Sequence, residues 1–382
     1  MPQALYFPTT VLMGAGAIQL IPNEISKINK RKALIVTDEV LIKIGVVQKV
    51  LDVLDAAAID YTIFSDVKPN PTVKNVNDGY AALKEGQCDF LISIGGGSPQ
   101  DTGKGVAILA TNPGNIEDYE GVNKTKNKSL PLIAINTTAG TASEATINYV
   151  ITDEARKVKM VIVDSNSIAT VAVNDADLMV NMPAQLTAAT GMDALTHAIE
   201  GYITAGATPF TDLFNLEAIK VIAASLKDAV DNGSNIEARE GMAYGQFVTG
   251  MGFSNGGLGI VHSMAHQLGG FYDLPHGVCN AILLPYVMAF NASESGTKFR
   301  TIAEAMGVDT TGMDLETAKV ACIGAVKALS QSVGIPADFK ALGVKKEDIE
   351  TLAGLAMVDA CTPGNPRVPS KEDLIDLYSK VF

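Results

Sequence analysis

Asp193 and His197, in GMDALTHAIEGY (residues 191–202), are spaced four apart in a run that otherwise reads as an apolar helix. That spacing puts a carboxylate and an imidazole on one helical face, one turn apart. The chain has only four histidines: His197, His262, His266 and His276. Three fall in GIVHSMAHQLGGFYDLPHGVCNAILLP (259–285), where His262 and His266 repeat the four-residue spacing. His276 follows a DLP break, which starts a new segment and lets it turn back toward the same point. A lone histidine in an apolar helix is ordinarily a hydrogen-bonded core residue. Here every histidine belongs to a helical pair or to the linked turn. Imidazoles with one carboxylate form an N/O set suited to Fe(II), Zn(II) or Ni(II), and the pattern predicts a metal site.

A second chemistry is written into ISIGGGSPQDTGKGVAI (92–108), a strand, a triple glycine and a helix opened by Ser98 and Pro99. Serine suits a cap and proline the first helical turn. Glycines there let backbone N–H groups approach an anion, which the helix N-terminus favours. NTTAGTASE (136–144) follows another strand and offers three threonine hydroxyls, from Thr137, Thr138 and Thr141. The G-x-G-x-x-G fingerprint is absent, because Gln100 stands where its last glycine belongs. Each turn alone is explained by a tight bend. Two at strand ends of one sheet predict a nucleotide or dinucleotide site. Asp38 ends the strand LIVTD; an acid there accepts from an adenosine ribose and disfavours a 2′-phosphate, or simply caps the next helix.

The elements that must carry these residues follow two patterns. KALIVTD (32–38), YTIFSD (61–66), DFLISIGGG (89–97), LPLIAINTT (130–138) and ATVAVND (169–175) read as buried strands, with helical periodicity between them. This predicts an α/β domain over 1–182 with a doubly wound, mostly parallel, Rossmann-like sheet. From 183 to 382 the pattern is all-α, with helical runs at 183–201, 210–230, 236–252, 258–270, 276–290, 297–306, 315–333, 346–358 and 370–380. The site is expected in the cleft between the domains.

A chain of 382 residues with net charge −13 repels phosphate backbones and anionic lipid, so neither nucleic acid nor a membrane is an expected partner. No apolar run reaches the roughly 18–20 residues of a membrane span, and the N-terminus lacks a signal-peptide pattern. Cys88, Cys279, Cys322 and Cys361 are scattered, which favours free thiols in a reducing, cytoplasmic compartment.

GGGSPQD, INTTAGTASE, GMDALTHAIEGY and GLGIVHSMAHQLGGFYDLPHGVCNAILLP together resemble the iron-containing (group III) alcohol dehydrogenases, as do PNPT (69–72) and DACTPGNPR (359–367). Within the family, TINYVITDE, DADLM, GFSNGGLG and CTPGNPR are similar to the lactaldehyde-reductase (propanediol oxidoreductase) type. EARKVKM and MAHQLGG look as much like ethanol and 1,3-propanediol dehydrogenases.

The resemblance implies one Fe(II), or sometimes Zn(II), held by Asp193, His197, His262 and His276. It places His266 near the nicotinamide and substrate rather than on the metal. NAD(H) contacts would fall on Asp38, Gly96, Gly97, Ser98, Asp101, Thr137, Thr138, Thr141, Thr146, Lys159, Leu178 and Met182. Asn148, Phe253, Leu258 and Cys361 would line the substrate pocket. The implied activity is hydride transfer between NAD(H) and a small alcohol or aldehyde, with the metal as Lewis acid and His266 as proton relay or pocket wall. The implied assembly is a homo-oligomer, a dimer or larger. A dehydroquinate-synthase-like lyase would need clustered Lys and Arg, whereas GFSNGGLGIVHSMAHQLGGFY is apolar and small.

Overall fold

The computed structural model describes residues 4–156 and 158–382. The start of the N-terminal stretch and Lys157, inside EARKVKM, lie outside them. The chain divides into two compact units, Met1–Val180 and Asn181–Phe382.

The first unit runs β1 (Thr10–Met13), α1 (Ile21–Ile28), β2 (Lys32–Val36), α2 (Glu39–Lys43), α3 (Val46–Ala56), β3 (Asp60–Phe64), α4 (Val73–Glu85), β4 (Phe90–Gly95), α5 (Gly97–Leu109), β5 (Gly121–Val122), β6 (Leu132–Asn136), β7 (Asn148–Asp153), β8 (Val158–Val163) and β9 (Val171–Asn174). Six strands form one sheet in the order β1-β9-β6-β4-β2-β3, every neighbouring pair parallel. Strands β5, β8 and β7 form a small second sheet.

The central strands read as unbroken apolar runs because both faces are covered. Alternate residues feed different cores. Ile35, Ile92, Ile94, Ile133 and Ile135 pack with Val50 and Leu54 of α3 on one face. Leu34, Val36, Leu91 and Leu132 pack with Val76, Val106 and Ile108 of α4 and α5 on the other. That is the doubly wound arrangement the strand–helix alternation predicts. The strands that the sequence pattern missed are short or half-buried: β1 has four residues, and β7 alternates buried with partly exposed positions.

The second unit contains α6 (Ala184–Ile203), α7 (Pro209–Asp231), α8 (Ile236–Gly256), α9 (Ile260–Tyr272), α10 (His276–Asn291), α11 (Lys298–Ala305), α12 (Leu315–Ser332), α13 (Ile349–Met357) and α14 (Lys371–Lys380), with no strand among its described residues. Each falls on one of the helical runs read from the sequence. Helix α6 is apolar nearly all round and buried from Thr187 onward apart from Thr190, with α7, α8 and α10 packed on it. Among the described residues no helix is long and apolar enough to cross a membrane.

Candidate active site

Helix α6 points Asp193 and His197 the same way, and α9 and α10 bring two more histidines to them. One ligand atom each from Asp193, His262 and His276 lie within 4.8 Å of one another. Oδ1 of Asp193 is 3.9 Å from Nε2 of His262 and 3.6 Å from Nε2 of His276. His197 stands at the rim of this group, its Nδ1 4.0 Å from the other carboxylate oxygen of Asp193. Its ring stacks on Phe253 at 4.3 Å and 12°, with the His262 ring 4.4 Å away.

The close approach of α10 to α6 depends on Gly277. A Cβ there would run into the carbonyl oxygen of Ala189 on α6 and come within 3.2 Å of Cβ of Asp193. The bare backbone next to His276 is what lets this imidazole reach the carboxylate.

Three residues that the sequence reading passed over complete the cluster. Nδ1 of His262 meets Oε2 of buried Glu200 at 2.5 Å, so Nε2 is the nitrogen turned toward Asp193. Glu200 also accepts from the backbone of Val261 at 2.7 Å. Asn280 donates through Nδ2 to Oδ1 of Asp193 at 2.7 Å and stands 3.2 and 3.1 Å from Nε2 of His262 and His276. Asp359 lies 3.0 Å from Nδ1 of His266 and also accepts from Gln267. The signal for Glu200 and Asn280 was periodicity: Glu200 continues Asp193 and His197 along one face of α6, and Asn280 is one turn after His276.

Burial, with His197, His276 and His266 nearby, holds His262 neutral, its pKa well below the usual imidazole range. Burial likewise raises the Glu200 carboxyl to about 8. Imidazoles and a carboxylate, with the far nitrogen of the neutral His262 ring fixed by the buried Glu200 carboxyl, are the donor set and outer support of a divalent metal centre. The residues present fit such an ion.

In the first unit, parallel strands put the predicted nucleotide residues at one edge of the sheet. Asp38 follows β2, Gly96, Gly97 and Ser98 follow β4, Thr137, Thr138 and Thr141 follow β6, and Leu178 follows β9. The strand order reverses between β2 and β4, and ligands of open α/β sheets bind at such a switch point. A Cβ on Gly96 would lie 2.9 Å from the Thr138 side chain, and one on Gly97 3.1 Å from Thr141. The glycines therefore let the two turns close on each other. Helix α5 begins at Gly97 with Gly96 as its cap residue, so Ser98 sits inside the first turn; this corrects the reading of Ser98 as the cap. With no side chain capping it, that first turn suits an anion. Asp38 does cap α2, accepting from Leu41 at 2.9 Å.

The remaining predicted residues are more scattered. Asp101 faces inward, accepting from Ser143 at 2.8 Å and the backbone of Val150 at 3.0 Å. Thr146 and Asn148 accept from buried Lys104. Lys159 donates to Asn70 at 2.8 Å. Met182, early in the second unit, accepts through its carbonyl from buried Arg239. Leu258 lies between α8 and α9, its carbonyl accepting from Thr204 at 3.3 Å. Cys361 is partly buried beside Asp359.

Residues 8–176 match the family described as iron-containing alcohol dehydrogenase, and residues 187–382 match the C-terminal part of the Fe-containing alcohol dehydrogenase family. The chain is 51% identical over 371 residues to lactaldehyde reductase of Escherichia coli (strain K12), covering 97% of each. It is 45% identical to the NAD-dependent methanol dehydrogenase of Bacillus methanolicus, over 99% of each chain. The crystal structure of a 1,3-propanediol oxidoreductase superposes with a TM-score of 0.98 at 44% identity, covering all of both chains. This chain belongs to the iron-containing alcohol dehydrogenase family.

Proposed function

We propose that this protein interconverts a short-chain primary alcohol or diol and its aldehyde with NAD(H), with 1,2-propanediol and lactaldehyde as the preferred pair. Ethanol and 1,3-propanediol are the alternatives within the family. The observation that carries the reading is the Asp193–His262–His276 group with His262 fixed by Glu200. The substrate pair rests on the similarity to a relative named lactaldehyde reductase.

In this reading Asp193, His197, His262 and His276 hold one divalent metal, Fe(II) in preference to Zn(II). Bound there, the metal supplies Lewis acidity toward the substrate oxygen, and the nicotinamide carries the hydride. Burial of His262 keeps that imidazole neutral. Asp38 accepts from the adenosine ribose, and the amides around Gly96, Gly97 and Ser98 receive the diphosphate. Thr137, Thr138, Thr141, Thr146, Lys159, Leu178 and Met182 complete the NAD(H) contacts, and Asp101 fixes the loop that bears Ser143. Residues 1–182 serve as the dinucleotide domain and 183–382 as the metal and substrate domain. Asn148, Phe253, Leu258 and Cys361 are the substrate contacts. His266, oriented through Nδ1 by Asp359, passes the substrate's proton toward solvent from Nε2. The protein acts as a cytoplasmic homo-oligomer.

The test is a steady-state assay on chelator-stripped protein, reconstituted anaerobically with Fe(II), Zn(II) or nothing. NADH formation is followed with 1,2-propanediol, 1,3-propanediol and ethanol. Activity that returns only with metal, and highest kcat/KM for 1,2-propanediol, is the expected result. Full activity without metal overturns the metal assignment, and a higher kcat/KM for either other alcohol overturns the substrate.

A further inference from the structure

A second group of metal-ligating side chains stands beside the first. His266, Asp359 and Cys361 each offer one ligand atom, and these atoms lie within 4.8 Å of one another. They come from α9 and from the turn that follows α13. Nδ1 of His266 is 3.0 Å from Oδ2 of Asp359, and Oδ1 of Asp359 accepts from the backbone N–H of Cys361 at 2.9 Å. That second bond curls residues 359–361 and brings the thiol back to the imidazole–carboxylate pair. All three residues are intermediate in burial, with the side chains of His266 and Asp359 14% and 8% exposed. Of the four cysteines, Cys361 is the one that is not buried.

The donor set differs in kind from the first. Asp193, His262 and His276 offer nitrogen and oxygen, whereas this group adds sulfur and so favours a thiophilic ion. We propose that His266, Asp359 and Cys361 form a second, inhibitory metal site, taken by Zn(II) or Cd(II) when these are in excess. Capture replaces the Nδ1–H···Oδ2 hydrogen bond with bonds from both atoms to the ion. The ring proton moves to Nε2, the thiol proton passes to solvent, and water fills the fourth position. The His266 ring stacks 5.3 Å from that of His276, at 14°. An ion held by His266 therefore sits next to the first cluster, blocks the substrate contact at Cys361 and removes the group that Asp359 orients.

The test is a cadmium titration of the metal-loaded holoenzyme, following the ultraviolet cadmium–thiolate charge-transfer band and the metal bound per chain. The first cluster contains no sulfur, so the band reports the second site alone even where cadmium also exchanges into the first. The wild type is expected to develop the band as one further ion binds, and Cys361→Ser to lose it. Asp359→Asn, which keeps the thiol, is expected to need several-fold more cadmium for the same band. Excess zinc is expected to inhibit turnover of the wild type and to spare the residual turnover of Cys361→Ser. No band in the wild type, or an equal band in Cys361→Ser, overturns the site; equal zinc inhibition of both overturns its inhibitory role. The band forms whether or not the protein oxidises alcohols, so failure here and failure of the alcohol dehydrogenase reading are told apart.

Discussion

Oε2 of Glu200 lies 2.5 Å from Nδ1 of His262, and both side chains are buried. A carboxylate behind a ligand imidazole fixes the ring and makes its far nitrogen a better donor. Glu200→Gln keeps the shape and removes the ionisable carboxyl. It is expected to weaken metal binding about 10- to 100-fold, the usual effect of removing such a partner. Competition with a chelator measures this; a variant that keeps its metal as tightly as the wild type removes Glu200 from the centre.

His266 and His276 stack on each other, yet they are assigned different tasks. His276→Ala is expected to lose the metal. His266→Asn is expected to retain it while kcat falls about 10²- to 10⁴-fold, the span of a general acid–base contribution. Metal content after gel filtration separates the two. If the pH–rate profile of His266→Asn matches the wild type, the relay role fails and only the shaping of the pocket remains.

Asp38 has a structural duty, the cap of α2, as well as its proposed one toward the ribose. Asp38→Ser tells them apart, because serine caps about as well as aspartate. The variant is expected to keep its thermal stability while kcat/KM for NADP(H) rises relative to NAD(H). An unchanged cofactor ratio leaves Asp38 as a cap and nothing more.

Gly277 is expected to tolerate no side chain. In Gly277→Ala the added Cβ meets the carbonyl oxygen of Ala189, backbone that moves only with α6. Overpacking of this sort costs about 1–3 kcal/mol, and here it also pushes His276 away from Asp193. The expected result is a lower denaturation midpoint together with weaker metal retention. Loss of stability with unchanged metal affinity would show that α6 and α10 separate without disturbing the cluster.

The legible parts of the sequence were those with a period. Alternation of apolar strands with helices gave the parallel sheet, and the four-residue spacings of Asp193–His197 and His262–His266 placed those pairs on shared helical faces. What the spacing did not reveal is that His262 turns toward Asp193 while His266, one turn later, turns to Asp359. That choice depends on carboxylates far away in the chain: Glu200 is 62 residues from His262, and Asp359 is 93 from His266. Ser98 misled for a local reason. A serine before a helix ordinarily caps it, but the extended backbone at Gly96 starts α5 early enough that Ser98 falls inside the first turn.

Lys104 was illegible for a related reason: a lysine in DTGKGVAI reads as surface, yet it is wholly buried. Its ammonium donates to the carbonyl of Asn148 at 2.7 Å and to the carbonyl and hydroxyl of Thr146 at 2.9 and 3.2 Å. With Asp101 one turn earlier holding Ser143 and Val150, it ties α5 to the loop that carries Thr141 and Thr146. Burial lowers the Lys104 amine from 10.5 to about 8, against the pull of Asp101 and Glu144. The unfolded chain therefore binds more protons than the folded one between those values, and the lysine's contribution to stability rises with pH across that window. Asp101, raised by burial from 3.8 to about 6, works in the opposite sense: its contribution is complete below 3.8 and is lost as pH rises through about 6. Lys104→Met leaves buried acceptors unpaired, at about 1–3 kcal/mol. Its stability deficit against the wild type, measured by urea denaturation, is expected to widen from pH 8 toward 10.5, and the KM for NAD to rise as the Thr141–Thr146 loop loosens. A deficit that stays constant across this range would mean that burial does not depress the Lys104 amine and that it keeps its charge in the folded protein.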